Sequence, residues 1–84
     1  MRLDKYLKVS RIIKRRTVAN EACDAKRVSI NGKIAKASTE VKEGDIIEIM
    51  FGTNPLKAEV LCVKETVKKE EAKEMFRIIS GDPQ

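Results

Sequence analysis

The chain of 84 residues has no histidine and no tryptophan, one tyrosine, two phenylalanines, two cysteines and four glycines. Without histidine it lacks the commonest general base near neutral pH and the commonest metal ligand. Its scattered glycines form neither a phosphate-cradling loop nor a nucleophile elbow. Asp4, Asp24 and Asp45 could act as carboxylate catalysts, but helix capping, turn formation or pairing with nearby cations accounts for each of them. An enzyme is therefore not expected, and no metal or cofactor is implied. Cys23 and Cys62 are too few and too far apart for a zinc cluster. In a reducing compartment they remain thiols and serve as small buried hydrophobes. No apolar run approaches the roughly 20 residues that span a bilayer. The opening "MRLDKYL" is charged and lacks the apolar stretch of a secretory signal. The expectation is a soluble, cytoplasmic protein that spans no membrane.

What the chain has in excess is positive charge, and it sits at one end. Residues 1–36 carry eleven Lys/Arg against Asp4, Glu21 and Asp24, a balance of +8, while residues 37–84 carry seven against ten acids, a balance of −3. A solvated surface mixes its signs, whereas a one-sided basic footprint suits a polyanion. Nucleic acid and an anionic membrane surface both meet that description. The length allows one domain, with a core that supplies only about 3–5 kcal/mol of net stability.

Periodicity shows which elements carry the charge. Leu3, Tyr6, Leu7 and Ser10 fall within one helical arc, with Lys5 and Lys8 opposite. Tyr6 thus belongs to the core rather than to a stacking platform. "IIKRRT" breaks the pattern, and Thr17 is placed to cap a second helix over about 18–25. There Val18, Ala22 and Ala25 form one stripe, with Ala19 and Cys23 beside it, small enough to approach the first helix closely. The period then changes to two. "VSINGKIA" reads as a hairpin about Asn31-Gly32. "EGD" at 43–45 and "GTNP" at 52–55 are further turns, flanking the strands "IIEIMF" and "KAEVLCV". "TVKKEEAKEMFRIIS" reads as a helix capped by Thr66, with Ala72, Met75, Phe76 and Ile79 on one face, and the "SGDPQ" tail is expected to fray. The fold class is α+β: two packed N-terminal helices on a small bent antiparallel sheet, with a C-terminal helix.

"RLDKYL" at 2–7, Arg16-Thr17, "VSINGK" at 28–33, Ser38, Val41 and Gly44-Asp45, in that order, resemble the S-four RNA-binding domain, also called the α-L motif. The resemblance covers residues 2–49 as the motif core, followed by a C-terminal strand and helix at 56–79. It implies that structured RNA is bound across the helix pair and the adjoining hairpin. The candidate RNA-binding residues are Arg2, Lys5, Lys8, Arg11, Lys14, Arg15, Arg16 and Thr17, with Arg27, Lys33 and Lys36 flanking the hairpin. Guanidinium groups fork onto phosphate oxygens and lysines act as mobile point charges, so the backbone and shape of folded RNA are read rather than unpaired bases. Arg2 and Arg16 match motif positions, and reversing their charge is expected to alter folding little. Asp4 is expected to cap the first helix or to orient an arginine. Lys26 stands where the family usually ends the second helix with glycine, and a left-handed lysine there costs roughly 1 kcal/mol.

Size narrows the resemblance to the small ribosome-associated members of the family. It implies a monomeric, non-catalytic factor on a large ribosomal subunit that still holds an obstructed peptidyl-tRNA. Large-subunit rRNA and the peptidyl-tRNA would be its RNA partners, and an RqcH-type alanine-tailing protein its protein partner. The alternatives are heat-shock-like rescue of large subunits, ribosome assembly, or an adaptor that binds protein through its acidic half.

Overall fold

The computed structural model describes residues 1–80. Helix α1 spans Leu3–Val9 and α2 spans Arg16–Asp24. Five strands follow: β1 (Val28–Ile30), β2 (Lys33–Ile34), β3 (Ile46–Phe51), β4 (Asn54–Val60) and β5 (Phe76–Ser80), with a 3-10 helix over Lys69–Met75 before the last. All pairings are antiparallel, in the order β2-β1-β3-β4-β5.

The first helix and the hairpin follow their sequence pattern. Leu3, Tyr6, Leu7 and Ser10 of the α1 arc are all buried. Asn31 and Gly32 both take positive φ, +52° and +84°, as a two-residue hairpin turn requires. Asn31 also ties that turn to β3, because its Oδ1 accepts from the backbone N–H of Ile46 at 3.0 Å. Alternation then buries Ile47 and Ile49 of β3 with Leu56, Ala58 and Val60 of β4.

Three expectations need correction. Thr17 does not cap α2: the helix starts at Arg16, Arg15 is the cap residue in extended conformation, and no side chain caps it. The packed face of α2 is Ala19 and Cys23, while Val18 is 46% exposed, so the close approach to α1 uses the neighbouring stripe. At the other end the helical part is shorter than its pattern suggested. It is a 3-10 helix that begins at Lys69 without a side-chain cap, so Thr66 caps nothing, and it gives way at Phe76 to β5. Ala72 and Met75 are buried as expected, but Ile79 is 47% exposed.

The reason lies in β4. Residues 61–63, expected to extend that strand, leave it at Val60, and the N–H groups of Leu61 and Cys62 both turn to the Met75 carbonyl. The outer edge of β4 would then offer unpaired backbone groups. "FRIIS", aromatic and β-branched, satisfies them by pairing Phe76 with Val60, Arg77 with Glu59 and Ile78 with Ala58. The fraying expected of the tail falls, beyond Ser80, outside the described residues. One core cluster joins Leu3, Tyr6 and Leu7 near the start of the chain to Met75 near its end.

Candidate nucleic-acid interface

The start of α1 is held by backbone before any side chain acts. Leu3 N–H donates to Thr39 O at 2.8 Å, Asp4 N–H to Ala37 O at 3.2 Å, and Val41 N–H to Met1 O at 2.9 Å. These bonds set Arg2 and Asp4 against the 37–41 segment, next to the first turn of α2.

Asp4 is 2% exposed and fully engaged. Its Oδ1 accepts from Arg2 Nε at 3.2 Å and from the Lys5 backbone N–H at 2.8 Å. Its Oδ2 accepts from Arg16 Nε and from Asn20 Nδ2, both at 3.3 Å, and from Arg2 Nη2 at 3.4 Å. Burial pushes the carboxyl pKa up, but the Arg16 and Asn20 hydrogen bonds, the Lys5 N–H and the charge of Arg16 outweigh it and hold the group below its usual value. Arg2 and Arg16 remain half-exposed, so their outer guanidinium edges face solvent.

Cations line a chain of grooves on this side. The first, about 450 Å³, is walled by Lys5 and Lys8 of α1, Arg11 and Lys14 of the corner and Arg16 of α2, with Glu65 and Thr66 on the far rim. Arg11 sits at φ +64° just beyond the α1 cap residue Ser10, and this left-handed turn aims the corner into the groove. Glu65 forms an ion pair with Lys5 across the opening. A second groove begins at Arg16 and holds Asp4, Thr17, Asn20 and Glu21. A third, about 510 Å³, begins at Asn20 and adds Arg2, Lys26 and Lys36, with Asp24 the one acid on its wall. Shared residues make the three one cationic track over both helices and the base of the hairpin.

Of the eleven residues expected from sequence, eight line this track: Arg2, Lys5, Lys8, Arg11, Lys14, Arg16, Thr17 and Lys36. Arg15 and Lys33 are exposed but lie outside these grooves. Arg27 lines a different, largely apolar groove with Ile13, Val18 and Met50. Sequence reasoning missed Asn20, although it stands one helical turn after Arg16 on the same face. It also missed Glu65, whose segment is distant in sequence. Lys26 does keep the left-handed turn, at φ +61°. Its N–H donates to Cys23 O and the Arg27 N–H donates to Ala22 O, both at 3.0 Å, which closes α2 and turns Lys26 toward the track.

Cys23 is a buried packing group as expected, whereas Cys62 is only partly buried and its Sγ donates to the Glu74 carbonyl at 3.8 Å. Burial, with the charges of Asp4 and Asp24, pushes Cys23 up to about 11. Tyr6 is likewise raised by burial, with Cys62 adding to the effect, and its hydroxyl donates to the Met75 carbonyl at 2.7 Å inside the core. Among the described residues no group of histidine, cysteine, aspartate or glutamate is arranged to hold a metal ion.

Comparison with known proteins agrees with this geometry. The model of the S4 domain matches residues 1–47. A Streptococcus pneumoniae protein named RQC P-site tRNA stabilizing factor is 58% identical over 80 residues, covering 95% of this chain and 91% of its own. A Halalkalibacterium halodurans protein of the same name is 53% identical over 83 residues, covering 99% and 94%. Among solved structures, the trimeric Vibrio cholerae Heat Shock Protein 15 superposes with a TM-score of 0.86 at 27% identity, covering 95% of this chain and 82% of that one.

Proposed function

Since this chain belongs to the S4 domain family, we propose that it acts as a non-catalytic RNA-binding factor in ribosome-associated quality control. The whole chain works as one S4-type unit, in the cytoplasm, on large ribosomal subunits that retain an obstructed peptidyl-tRNA. The observation that carries this reading is the continuous cationic track, organised around the arginine pair on Asp4. A track with side chains of this kind and no aromatic platform suits phosphate backbones held in a folded shape. The names of its relatives supply the biological setting: steadying a P-site tRNA.

The mechanism is a brace. Lysines and outer guanidinium edges along the track neutralise phosphates of large-subunit rRNA and of the tRNA, and favour one tRNA position while an RqcH-type protein extends the nascent chain with alanine. A brace must bind and release in each cycle, so it gains from many modest contacts rather than one deep pocket. The likeness to Heat Shock Protein 15 favours a second reading, a heat-shock-like role on the same subunit without alanine tailing.

Sedimentation separates these readings. A Lys8→Glu/Lys14→Glu chain, altered at two exposed groove residues, should accumulate as folded protein, fail to sediment with large subunits, and leave alanine-tailed products reduced. Lost sedimentation with normal tailing would reject the brace. Normal sedimentation with lost tailing would move the function to recruitment of the protein partner. Loss of subunit binding in cells that produce no tailed products at all would favour the heat-shock-like role.

A further inference from the structure

The side-chain carbonyl of Asn20 is a neutral acceptor at the midpoint of the track that, unlike the Thr17 and Ser38 hydroxyls beside it, cannot turn to donate. Its orientation follows from its neighbour. Asp4 is buried with donors from four residues around it and offers only acceptor oxygens, so the Asn20 amide must turn its NH2 toward Oδ2, and does so at 3.3 Å. The amide oxygen is therefore the end turned away from Asp4, on a residue that lines both the second and the third groove. Among the described residues it accepts no hydrogen bond. Arg16 shares the second groove with it, beside the Thr17 hydroxyl and Glu21, and Arg2, Lys26 and Lys36 share the third, beside Asp24 and the Ser38 hydroxyl.

A phosphate run along this track is served by the cations and has nothing to give a carbonyl oxygen. Two acceptors facing one another repel, so a ligand made only of phosphates would be disfavoured at this point. An RNA backbone differs in carrying a donor beside each phosphate, the ribose 2′-hydroxyl. We infer that Asn20 is a specificity residue of the track, its fixed Oδ1 accepting a hydrogen bond from a ribose 2′-hydroxyl while the flanking cations hold the adjacent phosphates. The buried Asp4 thereby does more than neutralise: it sets which end of the amide the ligand meets. This inference rests on the RNA-binding reading above.

The test uses the full chain and two synthetic hairpins of one sequence, one of RNA and one with every ribose 2′-fluoro substituted. Fluorine preserves the A-form backbone and its charge but has no hydrogen to donate. The unaltered protein should bind the RNA hairpin about five-fold more tightly, the contribution of one hydrogen bond. Asn20→Ala should bind both hairpins alike, near the affinity of the unaltered protein for the fluorinated one. Asn20→Gln, which keeps the donor to Asp4 but moves the carbonyl by a methylene, should lose the preference as well, with its circular dichroism unchanged. Equal binding of the two hairpins by the unaltered protein, or a preference that survives in both variants, overturns the inference while leaving RNA binding intact. Failure to bind either hairpin removes the RNA-binding reading and this inference with it.

Discussion

The hydroxyl of Tyr6, in the first helix, donates to the backbone carbonyl of Met75 at 2.7 Å, a contact across 69 positions of sequence that is wholly buried. It joins the helix whose outer face carries Lys5 and Lys8 to the segment that precedes the last strand. The same carbonyl accepts from Leu61 N–H at 2.8 Å, so it is the meeting point of three parts of the chain.

Removing that hydroxyl gives the first prediction. Tyr6→Phe keeps the ring and leaves the Met75 carbonyl with its backbone donors, so the loss should be that of one net hydrogen bond, about 0.5–1.5 kcal/mol. A melting curve should fall by several degrees, at roughly 4–8 °C per kcal/mol for a chain of this size. Truncation after Val63 should cost far more, because it removes buried Ala72 and Met75 and strips β4 of its neighbour. A truncated chain that melts like the full one would make the C-terminal segment a docking element.

Asp4 predicts a pH dependence. Its folded pKa lies below the usual 3.8, so its stabilising effect is complete above that value and is lost as the pH falls through the lower folded value. Glu65 is lowered too, by its hydrogen bond to Lys5 and the Lys5 charge, but it is exposed, and salt of about 0.5 M screens it. Urea unfolding at that salt, compared between neutral and acid pH, should show a loss that Asp4→Asn abolishes. The variant should itself be less stable by about 1–3 kcal/mol, since a buried acceptor site is left poorly matched while the half-exposed arginines regain water. Unchanged acid sensitivity in Asp4→Asn would place the titrating group elsewhere.

Lys26→Gly should raise stability by roughly 1 kcal/mol, because the residue is held at φ +61° where glycine pays no steric penalty. The same change removes a cation from the third groove, so RNA affinity should fall slightly as the melting temperature rises. A lower melting temperature would show that the lysine stem contributes packing greater than the strain.

The first helix and the hairpin were legible because their signals are local: an apolar arc at 3.6-residue spacing, then Asn-Gly between alternating residues. The small residues of the second helix left two neighbouring stripes, and only packing chose Ala19 and Cys23. The C-terminal half was not, because "KEEAKEMFRII" satisfies helical spacing at Ala72, Met75, Phe76 and Ile79 just as "FRIIS" satisfies strand propensity. Only the open edge of β4, a tertiary fact, decides between them. The charged face was visible from its composition, yet the role of Asp4 was half-seen, since no spacing rule brings Arg2, Arg16 and Asn20 onto one carboxylate. That arrangement also corrects the expectation that reversing Arg2 and Arg16 spares the fold. Glutamates there would face a buried carboxylate with its partners gone, and stability and binding would fall together.

The groove cations that pair with nothing among the described residues give a cleaner experiment. Lys8, Arg11 and Lys14 are exposed and line the first groove without an ion-pair partner there. Neutralising all three to glutamine should leave unfolding almost unchanged, within about 0.5 kcal/mol for each surface site. Binding to purified large subunits should weaken, and how it weakens is the informative part. Each phosphate contact contributes about 0.7–0.9 to the slope of log K against log salt concentration, so losing three should flatten the slope by roughly 2–3 units. A partner bound through apolar contacts would show a shallow slope from the outset and no change in the triple variant. If the triple variant binds more weakly with the slope intact, these cations steer the encounter from a distance without touching phosphate, and the track must be redrawn around Arg2, Arg16, Lys26 and Lys36.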